Sequence, residues 1–172
     1  MSILKIKKLT ETAIIPTYAH STDSGMDLYY DGESIELEPT AMVEVPTGNY
    51  IITEYERIPE TEFVLVNAKR YLLSTGISIQ LPPNTEAQIR PRSGLALKQG
   101  LTVLNSPGTV DEGYSGEIKV MIVNLGNDTA IITRGDRIGQ MVIAPVIRCQ
   151  ITEVNMLGES DRGSEGFGST GK

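Results

Sequence analysis

The chain has 172 residues, with 15 Lys and Arg against 22 Asp and Glu, a formal net charge of −7. That length suits one domain able to bury a sizeable core, and the acidic balance argues against nucleic acid, whose phosphates call for a basic face. With no Trp and two Phe the core must be aliphatic, and a single cysteine excludes an internal disulfide and a thiolate metal cluster.

In chain order, Met1 to Lys8 carries Lys5, Lys7 and Lys8 among its apolar residues, which does not read as a signal peptide. No apolar run approaches the ~18 residues of a membrane span, so a soluble cytoplasmic protein away from membranes is expected. Asp23-Ser24-Gly25-Met26-Asp27 sets two acids around a glycine. A hydrated Mg²⁺ carried by substrate phosphates needs little more than one such carboxylate, whereas a calcium loop would need further oxygens that are missing. The lone His20 has neither a nucleophile nor a second ligand to work with and is given no chemical role.

Turn signals at Asp31-Gly32, Pro82-Pro83-Asn84, Leu125 to Asp128 and Arg134-Gly135-Asp136 separate segments of period-two alternation. Ile77 to Leu81, Ile118 to Val123 and Ala130 to Thr133 read as strands. Their spacing predicts an all-β barrel or jelly-roll sandwich. Ser93 to Gln99 predicts one short helix, capped by Ser93 and stopped by Gly100. Cys149 lies in the apolar run Val142 to Ile151 and is expected to be a small buried hydrophobe. Two segments break the pattern. Residues 49–75 hold Tyr50, Tyr55, Phe63 and Tyr71, and the tail 158–172 is rich in Gly and Ser, so it is expected to be flexible unless a ligand orders it.

Pro91-Arg92-Ser93-Gly94 follows a strand and opens the short helix. Free backbone amides beside an arginine and a hydroxyl form a small anion site; a plain cap with a solvated Arg fits the same residues. Asn105 to Glu117 runs two β-branched residues, Thr109 and Val110, into Asp111, and glycines then flank Tyr114. One carboxylate, one ring and open amides on a hairpin could grip a planar ligand, and an ordinary Asp-Gly turn is the other reading. With no covalent nucleophile in view, Asp111 activating a water is the economical hydrolytic chemistry.

Taken together, the segments 23–28, 91–96, 105–116, 134–140 and 162–171 resemble, in order, the five motifs of the trimeric deoxyuridine triphosphate nucleotidohydrolases (dUTPases). The resemblance implies a jelly-roll subunit (residues 1–157) with a C-terminal tail (158–172), three of which form a homotrimer with shared sites. It implies that Asp111 orients the water that attacks the α-phosphate of dUTP, giving dUMP and pyrophosphate. It also implies phosphate contacts from Arg92, Ser93, Gly94 and Gln140, and Mg²⁺ reached by Asp27 through water. Asn105, Thr109 and Val110 would read uracil, Tyr114 would pack under the deoxyribose, and Lys119 would join the substrate contacts. Arg162, Phe167, Gly168, Ser169 and Thr170 would close over the nucleotide.

Two departures stand out. Glu165 occupies a position where the family usually has glycine. Thr47-Gly48 is followed by a second Thr75-Gly76, and only the second lies at the family's distance from Pro91, so roughly 28 residues look inserted. Bacteriophage members with an added segment also bind a repressor protein, and the aromatic segment 49–75 resembles that branch. A second role beside hydrolysis, binding a repressor protein through that segment, is therefore expected; a chain that is mainly a nucleotide-switched regulatory binder, and a deoxycytidine triphosphate deaminase of the same general fold, are the alternative readings.

Overall fold

A computed structural model describes residues 2–44, 50–59, 62–65, 69–160 and 163. The elements are β1 (Lys5–Lys8), β2 (Met26–Tyr29), β3 (Glu33–Glu44), β4 (Tyr50–Pro59), β5 (Glu62–Leu65), β6 (Arg70–Gln80), β7 (Thr85–Arg90), α1 (Ser93–Gln99), β8 (Leu101–Val103), β9 (Gly108–Val110), β10 (Glu117–Asn124), β11 (Ala130–Thr133) and β12 (Arg137–Pro145). The expected all-β architecture with one short helix is what forms.

Six strands make the larger sheet in the order β4-β3-β6-β10-β8, with β1 also paired to β6. Four more make a second sheet, β2-β12-β7-β9, and β5 pairs with β11. Every pairing among the described residues is antiparallel. Side chains alternate across each strand, so Ile118, Val120 and Ile122 of β10 point inward while Lys119 and Met121 stay half-buried. Ala87 and Ile89 of β7 turn inward from the second sheet to join them, with Leu28 of β2 and Ile138 and Met141 of β12. The two inner faces thus form one aliphatic core, each large buried side chain contributing about 1.5–3 kcal/mol over its exposed state.

Three sequence expectations are corrected. Arg92, not Ser93, is the residue that caps α1: its backbone is extended and it makes no side-chain cap hydrogen bond. Its carbonyl accepts the amides of Leu95 and Ala96, each at 3.1 Å, which makes Ser93 the first helical residue. Gly100 does end the helix, in the left-handed conformation. Cys149 is exposed rather than buried. β12 ends at Pro145, opposite Thr85 at the start of β7, and the Val146 amide makes a last bond to the Asn84 carbonyl. Beyond it Ile147 and Ile151 are exposed as well.

The third correction concerns the segment expected to be inserted. β6 runs unbroken from Arg70 to Gln80, and Tyr71 and Leu73 are wholly buried. Residues 70–75 therefore belong to the central strand of the larger sheet. Of the other aromatics in that segment, Tyr50 and Tyr55 lie on β4 and Phe63 on β5.

Candidate functional site

β2 and β12 lie side by side in the second sheet, with Gln140 opposite Asp27, while Arg90 of β7 faces Gln140 from the other flank. This register gathers three sequence-distant segments at one mouth. A cavity of about 390 Å³ there is lined by Asp23, Asp27, Arg92, Ser93, Gly94 and Gln140, among others. Asp27 is its electrostatic centre. Arg92 Nε donates to Asp27 Oδ1 at 2.9 Å, and an Arg137 guanidinium nitrogen donates to Oδ2 at 3.2 Å. Gln140 Nε2 donates to the Pro91 carbonyl at 2.9 Å, tying β12 to the segment that enters α1. A Cβ at Gly25 would fall 2.5 Å from Gln140 Oε1, so a side chain there would require the Gln140 amide to shift.

The cavity combines two guanidiniums, the first turn of a helix and an amide side chain, a set suited to a polyanion. Arg137 was missed by sequence reasoning although it lies in the 134–140 segment; nothing in a single chain signals a bond spanning 110 positions. His20 also lines the cavity, and its backbone amide donates to Asp23 Oδ2 at 2.8 Å.

The donor set bears on Mg²⁺. Among the described residues no group of three or more His, Cys, Asp or Glu side chains converges. Each oxygen of Asp27 already accepts one guanidinium bond, and this single carboxylate is shared between two arginines and whatever cation a phosphate ligand would bring. The residues fit a hydrated Mg²⁺ borne mainly by phosphates and do not fit a protein cage.

A second cluster forms on the other part of the sandwich. A cleft of about 280 Å³ is lined by Leu72, Thr109, Val110, Asp111, Tyr114, Glu117, Ile118 and Lys119. β9 carries Thr109 and Val110 along the edge of β7, with Val110 opposite Ala87. The chain then turns, the Tyr114 amide bonding back to the Asp111 carbonyl at 3.0 Å. The Tyr114 hydroxyl donates to the Glu117 carbonyl at 2.9 Å, which fixes a ring that is otherwise 47% exposed. Asp111 is exposed, and Lys119 Nζ lies 3.4 Å from Glu117 Oε2. Asn105 does not line this cleft; its side-chain amide lies beside Gly108, where β9 begins.

Glu112 anchors this hairpin from its other side. It accepts from the Asn84 amide at 3.0 Å and from Arg148 at 2.9 Å. Those bonds, the Asn84 amide first, hold its carboxyl below the ordinary value of 4.5. The hairpin that carries Asp111 is thus bolted to the β6–β7 turn and to the segment after β12.

Among the described residues, the expected site residues other than Asn105 therefore fall into two sets lining separate cavities of one chain. Arg162, Phe167, Gly168, Ser169 and Thr170, with Glu165, lie outside the described residues. Sequence reasoning also missed Glu117, Ser74 and Gly76, which adjoin the second cleft.

A family profile described as dUTPase matches residues 55–171. The chain belongs to the dUTPase family. A deoxyuridine 5'-triphosphate nucleotidohydrolase of Crocosphaera subtropica is 52% identical over 168 residues, covering 98% of each chain. One of Clostridium tetani is 48% identical over 170 residues, covering 98% of this chain and 97% of its own. Among solved structures, a Staphylococcus bacteriophage 80alpha dUTPase with dUpNHpp aligns with a TM-score of 0.73 at 21% identity, covering 99% of each chain. A dUTPase from phage phi11 of S. aureus, described as coordinating a structural Mg(II) ion, aligns at 0.69 with 19% identity over 91% of this chain and 99% of its own. The phage structures share the fold. The bacterial dUTPases match this chain nearly end to end, so the segment 49–75 is no extra length relative to them, and its length gives no reason to assign the chain to a phage branch.

Proposed function

We propose that the protein is a cytoplasmic enzyme that hydrolyses dUTP to dUMP and pyrophosphate, working as a homotrimer. The observation that carries this reading is the division of the site: anion-binding groups around Asp27 line one cavity, and Asp111 with Tyr114 lines another. Joining the two sets between neighbouring subunits would put a triphosphate against a water-orienting carboxylate.

In that reading Arg92, the amides of Ser93 and Gly94, and Gln140 hold the phosphates and spread their charge, which is most of what phosphoryl attack asks of a protein. Asp111 orients a water and takes up its proton as the oxygen bonds to the α-phosphorus and pyrophosphate leaves. Tyr114 backs the deoxyribose, and Asn105 with the main chain at Thr109 and Val110 reads the donor and acceptor pattern of uracil. Mg²⁺ bound to the phosphates, with Asp27 accepting from its water, would supply charge neutralisation. Arg162, Phe167, Gly168, Ser169 and Thr170 are assigned to closure of the tail over the nucleotide.

The test is Asp111→Asn. It should keep binding of a non-hydrolysable dUTP analogue while turnover falls by about 10²–10⁴-fold. Wild-type turnover in the purified variant would remove Asp111 from the chemistry. Comparable pyrophosphate release from dCTP would remove uracil selection.

A further inference from the structure

Beside the Asp111 cleft the ladder between β10 and β6 is irregular. The register moves from Glu117 opposite Ser78 to Lys119 opposite Ser74, so Ile118 alone faces Thr75, Gly76 and Ile77. Such a bulge leaves backbone groups unpaired and can re-aim a side chain. Gly76 adopts φ +64°, and a Cβ there would collide with the Asp31 carboxylate, so only glycine fits twice over. Its amide donates to Glu117 Oε1 at 2.9 Å, and the Ser74 hydroxyl donates to the same oxygen. The Thr75 hydroxyl meanwhile donates to the Ile118 carbonyl. The other oxygen of Glu117 is the one that faces Lys119 Nζ, and both residues line the cleft with Asp111.

We infer that Glu117 is a positioning residue: the bulge at Thr75-Gly76-Ile77 fixes its carboxylate, and that carboxylate fixes the Lys119 ammonium within the substrate cleft. This rests on the dUTP-hydrolysing reading of that cleft. A lysine on a four-carbon stem loses considerable rotamer freedom when it binds a ligand. Glu117 and Lys119 are two apart on one strand and share a face, so a fixed carboxylate removes much of that freedom before the nucleotide arrives. A loosely held surface carboxylate would do little, because exposed pairs are worth little. What sets Glu117 apart is that a hydroxyl and an amide of the central strand grip one of its oxygens and leave the other for Lys119.

The experiment is a double-mutant cycle on the full chain with Glu117→Gln, Lys119→Met and the pair together. It reads the Kd of a non-hydrolysable dUTP analogue, KM and kcat for dUTP, and Tm. Glu117→Gln keeps an acceptor for Ser74 and Gly76 but loses the charge. It should raise Kd and KM about 5- to 10-fold with kcat within about threefold, and should add nothing once Lys119 is Met. Ser74→Ala, which loosens the carboxylate without removing it, should raise Kd about 2- to 3-fold, and it decides the matter if Glu117→Gln does not fold. An equal loss with and without Lys119, or a fall in Tm with Kd unchanged, would make Glu117 a structural staple and overturn the inference. Analogue binding without pyrophosphate release in the wild type would defeat the hydrolase reading alone, and the Kd cycle would still judge Glu117.

Discussion

Arg92 Nε donates to Asp27 Oδ1 across 2.9 Å, which ties the residue capping α1 to the short strand β2. With Arg137 on the second oxygen, one carboxylate holds two cations in place at the mouth of the cavity. Asp27 is mostly shielded, with its side chain 17% exposed, so the pairing is not fully screened by water.

Asp27→Asn should therefore loosen both guanidiniums. KM for dUTP is expected to rise about tenfold, the equivalent of ~1.4 kcal/mol. Steady-state kinetics beside a thermal melt would check this. Unaltered KM in a folded variant would mean that Arg92 and Arg137 need no such anchor.

Metal removal should separate activity from stability. A cation carried on nucleotide phosphates binds the native protein only when the nucleotide is present, so it cannot stabilise the free fold. EDTA should abolish most turnover and added Mg²⁺ should restore it, while Tm without nucleotide stays unchanged. A clear EDTA-induced drop in Tm would reveal a metal site built by the protein itself.

How legible all this is from sequence depends on how local the cause is. β10 and β11 declare themselves through period-two alternation, and Gly100 ends α1 through its own backbone freedom. The first half of β6 does not. Ser74, Thr75 and Gly76 are polar or small and mark no strand, because what buries them is bonding to Glu117 and Ile118, about 40 positions away. Cys149 shows the converse failure: an apolar run continues past the point where β7 stops offering a partner. For the site, the motif segments led to Asp27, Arg92 and Gln140 in one cavity and to Asp111, Tyr114 and Lys119 in another. Sequence could not supply the clamp of Arg137 on Asp27 or the bulge behind Glu117, since both are products of register.

The Glu112 bonds predict a dependence on pH. Its folded pKa is lowered beneath 4.5, so the unfolded chain binds the proton more readily. The stabilisation is present in full above the unfolded value and is lost as pH falls through the lowered one. Glu112→Gln should thus melt below the wild type near neutral pH, and the gap should close on acidification. Melts of both proteins across that range would check it; a gap that widens towards acid would reverse the sign.

Deleting residues 49–76 would test how far the sandwich depends on the first half of β6. Joining Gly48 to Ile77 would remove β4, β5 and β6 as far as Gly76, and with them Tyr71 and Leu73, neither with any exposed surface. It would also remove Ser74 and Gly76, leaving the half-buried Glu117 carboxylate without its donors. β3 and β10 pair with β6 through residues 70–74, so both would lose their neighbour there. Truncating even one such core residue, as in Leu73→Ala, costs about 2–5 kcal/mol, a large share of the ~5–15 kcal/mol that holds a typical domain. The deletion is therefore expected to be insoluble or to lack a cooperative melt, whereas Leu73→Ala should fold with a markedly lower Tm. Expression, circular dichroism and thermal melts of the two variants provide the check. A soluble deletion variant that unfolds cooperatively would show that the sandwich closes without the first half of β6.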